Sequence, residues 1–439
     1  MTLSRKPLRG MRQLVPTEKR VQDYIVRRLA ETGAVYGFEE YEAPVLEPLE
    51  LFLAKSGSEL AVEQSYNFTD KSGRELIMRP ELTPSLARMI AASGELIYPV
   101  RWMSFPVCYR YERPQRGRVR EFMQYNLDIL GVSGLEAELE VFLVLKRIMS
   151  GLNVSRDQFT IRYSSRRLAF EVLENMGLKE EEMSKAFAVI DKRDKMKPVT
   201  WEEWVRKEIT DKSSADAVVS FALCDELDTP WLKKAAGESS AYSEIVRFSG
   251  MLADAGVSEA KFDASVMRGL DYYTGIVFEV MDTGGKNRRA ICGGGRYDNL
   301  VGMFGTQKVS GVGFGLGLLT LQLFLETYGL IPGNISEKHP ADLFLAVFSE
   351  KERVFAVNLA EELRNEGIPV EIDITGRSLS KQFRTADRKS IRCIVVIGPE
   401  EVASGRITIR KLSSGSEIEC EISEIPGILK DGNLCGAEV

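Results

Sequence analysis

The sequence predicts an α+β protein: a domain built on an antiparallel sheet with flanking helices, a helical insertion within that domain, and a C-terminal α/β domain. Three stretches predict it. Tyr109 to Gly131 holds two runs of alternating residues either side of a basic loop. Strand side chains repeat every two residues, so this is the pattern of an antiparallel hairpin. Residues from about Arg166 to Ala260 are helix-rich, highly charged and poor in strand signals, and strand and glycine signals return from Lys261. From Leu343 to Ile397 strands and helices alternate, which implies a largely parallel sheet.

Taken in order, Thr17 after Pro16 is the expected N-cap of a first helix, with Val21, Tyr24, Ile25 and Leu29 at helical spacing as far as Gly33. GFEEYEAPVLEP reads as a strand broken at Pro44, followed by a short apolar helix around Leu49 to Leu53. Tyr66 to Phe68 and Arg74 to Met78 read as strands joined by the turn Asp70-Lys71-Ser72-Gly73. In PELTPSLARMIAAS, Thr83 is expected to cap a helix that has Pro84 at its first position. Glu81 and Thr83 then sit at a strand-to-helix junction, where functional groups collect. After the hairpin, Glu136 to Gly151 is an amphipathic helix and Phe159 to Tyr163 a strand. Arg268, Asp271, Tyr272 and Tyr273 precede a buried-looking strand, and Gly293, Gly294 and Gly295 mark the end of another.

Gly311, Gly313, Gly315 and Gly317 alternate, so one strand face is stripped of side chains and something flat can lie on it. An apolar helix follows, and LIPGNISEKHP (Leu330 to Pro340) has linker composition. The last domain reads as strand Leu343–Val347, helix Val354–Gly367, strand Val370–Ile374, helix Lys381–Lys389 and strand Ile394–Ile397. The expected divisions are a core of residues 1–165 and 261–328, an insertion 166–260, a linker 329–340, a C-terminal domain 341–425 and a tail 426–439.

Composition narrows the function. A chain of 439 residues has room for two or three cores. The net charge of −6 excludes a uniformly basic nucleic-acid coat, so any nucleic-acid surface is local. GRSLSKQFRTADRKSIR is such a patch: Arg377, Lys381, Arg384, Arg388, Lys389 and Arg392 stand against Asp387 alone, with Lys381, Arg384 and Arg388 on one helix face. A solvated helix face is the plainer reading. The 6 cysteines are scattered and read as reduced thiols, not as a disulfide framework or zinc knuckle. His339, the only histidine, falls in the linker, which excludes a serine–histidine triad and a histidine-rich metal site. No apolar run reaches membrane-spanning length and the N-terminus lacks a signal core, so a cytoplasmic protein without membrane contact is expected. Neither a G-x-G-x-x-G loop nor a G-x-x-x-x-G-K-[ST] loop is present.

On the hairpin, Arg110, Glu112, Phe122, Gln124 and Asp128 are expected to share a wall, with Arg113, Arg116, Arg118 and Arg120 in the loop. Such a wall offers guanidiniums to phosphate, an aromatic face to a base, and amide and carboxylate groups to an amine. It reads as a pocket for a nucleotide beside a small zwitterion. An exposed, salt-bridged hairpin is the competing reading.

With these segments in hand, nearly the whole chain resembles the histidyl-tRNA synthetase family of class II aminoacyl-tRNA synthetases. YEAPVLEP looks like motif 1, whose proline (Pro44 here) lies at the dimer interface in the family. YRYERPQRGRVREFMQ matches motif 2 in its histidyl-type form, and RGLDYYTG and GGGRYD match signatures that other class II enzymes lack. The final domain looks like the anticodon-binding domain shared with the prolyl, threonyl and glycyl enzymes. The resemblance implies an ATP-dependent ligase that makes histidyl-adenylate and pyrophosphate, then passes histidine to the 3′ end of its tRNA. It further implies a homodimer, Mg²⁺ accompanying ATP, no zinc, and metal ligands left unassigned.

Carried over residue by residue, the resemblance makes Arg110 and Arg268 the catalytic pair, on opposite sides of the α-phosphate and against the histidine carboxylate. Glu112 meets the adenine amino group, Phe122 stacks on adenine, and Arg118 reaches the outer phosphates. Glu81, Thr83 and Gln124 take the α-amino and carboxylate end of histidine. Asp128 and Tyr273 take the two imidazole nitrogens, with Tyr272 nearby, and Arg377, Lys381, Arg384 and Arg388 face the tRNA. The chain departs from the family twice: many members have glutamate at Asp128, and motif 3 usually ends in Glu-Arg where Leu319 and Thr320 stand here. The γ-phosphate clamp must then come from elsewhere, with Arg118, Arg113 and Mg²⁺ as candidates. The alternative is an inactive paralogue of the ATP phosphoribosyltransferase regulatory subunit type, which binds histidine without charging tRNA and typically lacks the last domain.

Overall fold

Val21, Ile25, Leu29 and Gly33, four apart, all face inward on the first helix, Pro16–Val35. Pro16 opens that helix and Val15 is its N-cap, with the Val15 N–H donating to Glu18 Oε2 at 3.3 Å. Thr17 therefore lies inside the helix instead of capping it, because proline, having no N–H to leave unpaired, suits the first position. The computed structural model describes residues 4–53, 64–270, 272–337 and 339–430. The chain divides into two units, Met1–Ile331 and Pro332–Val439.

Among the described residues of the first unit lie twelve strands: β1 Glu39–Glu40, β2 Leu46–Pro48, β3 Tyr66–Thr69, β4 Glu75–Met78, β5 Val100–Ser104, β6 Val107–Tyr109, β7 Glu121–Leu130, β8 Phe159–Ser165, β9 Ala260–Phe262, β10 Ile276–Asp282, β11 Cys292–Tyr297 and β12 Gly311–Gly317. The main sheet runs β1-β5-β7-β12-β11-β10-β8-β9, with β6 paired to β7. Its middle, from β5 to β8, is antiparallel throughout, and only the edge pairs β1–β5 and β8–β9 are parallel. The strand expected across Pro44 is split: β1 joins the main sheet, while β2 joins β4 and β3 in a small one. Gly293, Gly294 and Gly295 lie inside β11, not at its end, and all three are buried.

Between β8 and β9 come six helices, Arg166–Asn175, Glu180–Asp191, Pro198–Glu208, Lys212–Ala222, Pro230–Ala236 and Ser240–Asp254. Side chains cap four of them: Ser165, Asp211, Thr229 and Ser239 each accept from a backbone N–H three residues on. Phe248 of the last helix seats the insertion on the sheet, its ring 5.2 Å from Phe142 and 5.6 Å from Tyr163. Helix Thr83–Ala92 has Leu82 at its N-cap, so Thr83 and Pro84 are its first two residues and Thr83 does not cap it.

In the second unit β13 (Leu343–Val347), β14 (Val370–Ile372), β15 (Cys393–Ile397), β16 (Arg406–Lys411) and β17 (Glu417–Glu421) form a sheet ordered β14-β13-β15-β16-β17. Only the first three are parallel; β16 and β17 add an antiparallel hairpin that the expectation of a largely parallel sheet omitted. Their alternation of apolar and charged residues lets one face pack on the core while the other meets water. Cys108, Cys224, Cys292 and Cys420 are free and buried. Cys393 is disulfide-bonded, which corrects the expectation of reduced thiols throughout; spacing along a chain does not reveal which thiols folding brings together.

Candidate active site

The register of the central strands builds a floor. Gln124, Asn126 and Asp128 of β7 pair with Gly317, Gly315 and Gly313 of β12, and Gly315 and Gly313 pair in turn with Gly293 and Gly295 of β11. Gly293 and Gly295 pair with Glu279 and Val277 of β10. Opposed residues share a face, so polar side chains on β7, and Glu279 beside Val277 on β10, flank two strands whose paired positions are glycines. At about 4.8 Å per strand spacing, that leaves roughly 14 Å between the two walls. Gly315 and Gly317 are the partly exposed portion of this floor.

The hairpin forms the near wall, though β6 stops at Tyr109 and Arg110 to Pro114 are irregular. The Arg110 N–H still donates to the Arg120 carbonyl at 2.9 Å, and Gln115 and Arg118 pair around the tip. Arg110 keeps its expected side: its guanidinium lies 5.1 Å from the centroid of Phe122 and its Nε donates to the Pro80 carbonyl at 3.0 Å. That bond ties the motif 2 arginine to the residue preceding Glu81. Glu112 is buried, ion-paired with Arg118, and its Oε1 has no hydrogen-bond partner. Arg120 is structural, stacking 4.2 Å from the Tyr111 ring and donating to the Glu112 carbonyl.

At the back, Tyr272 donates to Glu81 Oε2 at 2.8 Å and contacts the Thr83 hydroxyl. Its ring sits 4.9 Å from that of Tyr273. Asp128 is buried; Tyr297 donates to its Oδ1 at 2.6 Å, and Oδ2 has no partner. Burial pushes the Asp128 carboxyl up to about 7, against the lowering effect of Tyr297. On the far wall Arg268 lies directly over Gly293, where any Cβ would collide with its guanidinium, and its Nη1 is 3.5 Å from Glu279 Oε2. Its backbone has φ +55°, a strained turn held by Arg166, which donates to the carbonyls of Arg268 (3.4 Å) and Leu270 (2.9 Å).

The structure thus joins Arg110 to Phe122, Glu112 to Arg118, Tyr272 to Glu81, Thr83 and Tyr273, and Arg268 to Glu279, while Gln124 and Asp128 sit on β7 opposite Gly317 and Gly313. The residues missed from sequence are Tyr297, which holds Asp128, and Glu279, which holds Arg268. GGGRYD contained the first signal: its glycines make the floor, Arg296 pairs with buried Glu138 at 2.5 Å, and Asp298 accepts from Thr274 at 2.8 Å. Arg377, Lys381, Arg384 and Arg388 belong to the second unit. Among the described residues no group of three or more His, Cys, Asp or Glu is arranged to hold a metal, and no helix is long and apolar enough to cross a membrane.

Six antiparallel strands carrying a motif 2 hairpin above a glycine floor define a class II aminoacyl-tRNA synthetase. The histidyl-tRNA synthetase family profile matches residues 10–321, and an anticodon binding domain profile matches 342–432. A histidine–tRNA ligase of Leptospira biflexa serovar Patoc is 34% identical over 428 residues, 96% of each chain. One from Thermoplasma volcanium is 33% identical over 93% of this chain and 95% of its own. The crystal structure of histidyl-tRNA synthetase from Nostoc sp. PCC 7120 shares the fold, with a TM-score of 0.79 at 24% identity over 98% of this chain and 100% of that one. The chain belongs to the histidyl-tRNA synthetase family, and its activity is that of a histidine–tRNA ligase.

Proposed function

We propose that Arg110 and Arg268 act as a pair of fixed cations on the α-phosphate of ATP while the histidine carboxylate attacks it. The observation that carries this is their shared face: Arg110 lies over Phe122, Arg268 over Gly293, with the bare floor between them. The attacking carboxylate is already an anion, so no protein base is needed. What the transition state requires is preorganised positive charge, and removing one such donor costs about 10²–10³ in rate. Glu112 accepts from the adenine amino group, a role supported by its buried, unpartnered Oε1, and Phe122 stacks on the base. Glu81, held by Tyr272, and Thr83 and Gln124 receive the α-amino and carboxylate end of histidine.

A neutral imidazole has one donor and one acceptor nitrogen. Asp128 Oδ2 receives the N–H, and the hydroxyl of Tyr273, kept protonated by burial, serves the other nitrogen. Mg²⁺ accompanies ATP and lowers the charge of its phosphates. The basic helix of the second unit binds the tRNA. A homodimer is supported by the motif 1 segment, where Val45 and Leu46 are exposed, with Phe68 exposed on the same small sheet. The cytoplasm is the proposed compartment: four buried cysteines, Cys108, Cys224, Cys292 and Cys420, are free thiols, against the one disulfide-bonded cysteine among the described residues, Cys393. ATP–pyrophosphate exchange across the twenty amino acids tests the reading: only histidine should support it, and Arg268→Ala should abolish it while the protein stays folded. Exchange at the wild-type rate in Arg268→Ala would remove that arginine from the mechanism.

A further inference from the structure

The resemblance sets Thr320 at the motif 3 arginine position, and Thr320 Oγ1 is spent on the Gly317 carbonyl at 2.8 Å. Another guanidinium stands beside it. A Cβ added to Gly117, at the tip of the hairpin, would lie 3.5 Å from Arg289 Cδ, 3.6 Å from Thr320 Cγ2 and 3.6 Å from Leu323 Cδ1. Gly117 has φ +73°, which lets the tip fold this tightly against both. Arg289 Nη2 donates to Gln115 Oε1 at 2.7 Å, and Gln115 pairs through its backbone with Arg118. Arg289 is thus fixed by a neutral amide oxygen, and among the described residues no carboxylate pairs with it. A half-buried arginine held in position with its charge uncompensated is arranged for an anion that arrives from outside.

We propose that Arg289, from the loop between β10 and β11, binds the β- and γ-phosphates of ATP together with Arg118, supplying from a different element the charge that Thr320 does not. Here the assignment rests on the reading of this cavity as the ATP site. Arg289 reaches the hairpin tip rather than the Arg110–Phe122 end, so its contribution falls on the outer phosphates and not on AMP. The test is calorimetric titration of the full-length protein with β,γ-methylene-ATP and, separately, with AMP. Arg289→Ala should weaken the triphosphate analogue tenfold or more and leave AMP affinity within about twofold. In exchange assays its KM for ATP should rise while the KM for histidine holds. Unchanged binding of the analogue overturns the proposal, as does an equal loss for the analogue and AMP, which would make the residue a structural brace of the hairpin. Arg288→Ala is the control: exposed Arg288 shares the loop, and an equal loss there would assign the effect to loop charge in general and overturn the specific role. Failure of the wild type to bind either nucleotide would instead sink the ATP-site reading itself.

Discussion

Asp128 shows how one residue can join specificity to stability. Its carboxyl is buried with one oxygen on Tyr297 and the other unpartnered, and its folded pKa is pushed up to about 7 from the 3.8 of a free aspartate. A carboxyl raised on folding binds its proton more tightly in the native state. The associated stability is fully present below about pH 4 and lost as pH rises to 7. A shift of this size corresponds to a few kcal/mol at most, because one pKa unit is about 1.4 kcal/mol. Asp128→Asn, near-isosteric and without a charge, should therefore melt above wild type at pH 8 and converge with it near pH 4. Thermal melts of the ligand-free proteins across that range measure this, and parallel curves would show that Asp128 does not titrate near neutrality. The same substitution should raise the KM for histidine by about tenfold or more, because an amide rotated to satisfy Tyr297 meets the imidazole N–H with a donor. The Asp128 side chain folds across the bare Gly313, where a Cβ would collide with its carboxyl.

At the scale of elements, the two glycine strands separate structural from functional reasons for lacking a side chain. Gly313 cannot take one: its Cβ would collide with the Asp128 carboxyl and lie 2.7 Å from the Leu127 carbonyl oxygen. Gly315 can, since its Cβ would meet only Gln124 Nε2 at 3.4 Å and Asn126 Nδ2 at 3.9 Å, both movable amide ends. Gly315→Ala should fold at least as stably as wild type, gaining up to about 1 kcal/mol from reduced unfolded-state freedom. On the proposed placing of substrate over this floor, it should nonetheless raise the KM for histidine or ATP at least tenfold, because the methyl would stand in the substrate's way. Comparing its melting temperature and exchange kinetics with those of Gly313→Ala, which should be destabilised, decides the matter; full activity in Gly315→Ala would mean that the floor is not a contact surface. The alternation of these glycines was legible in the sequence, as were β7, the following helix and the six-helix insertion, because each depends on local periodicity. What was not legible depends on register. Gly293 to Gly295 look like a strand end until β12 and β10 are seen on either side. Tyr297 reaches Asp128, and Arg289 reaches Gln115, only through pairings between segments more than a hundred residues apart. The hairpin's first strand ended early for a local reason that alternation concealed: beyond Arg110 the chain turns Glu112 inward to pair with Arg118.

For the molecule as a whole, charge must do two jobs in a chain whose net charge is −6. In the second unit, helix Leu379–Arg388 buries Gln382 and Ala386 and keeps Lys381, Arg384 and Arg388 exposed. Gln382 fixes the helix on β13, accepting from the Val347 N–H and donating to its carbonyl, both at 2.9 Å. The patch is smaller than its sequence suggests. Lys389 is paired with Glu371, Arg392 with Asp342 at 2.5 Å, and Arg377 lies 3.9 Å from Asp373 while its Nε donates to Thr375. Lys381, Arg384 and Arg388 pair with no carboxylate among the described residues, so they are the cations available to a phosphate backbone. Releasing the counterions of three phosphates gives a salt dependence of about 0.7–0.9 per contact in the logarithm of affinity. Reversing all three to glutamate should raise the KM for tRNA by tenfold or more and flatten that slope by roughly two units. Histidine-dependent exchange should stay at the wild-type rate, because none of the three belongs to the unit that holds Arg110 and Arg268. Measuring both activities from low to moderate salt separates a docking surface from a solvated helix face: equal loss of exchange and charging would make the patch structural, and an unchanged tRNA KM would leave the three cations merely solvated.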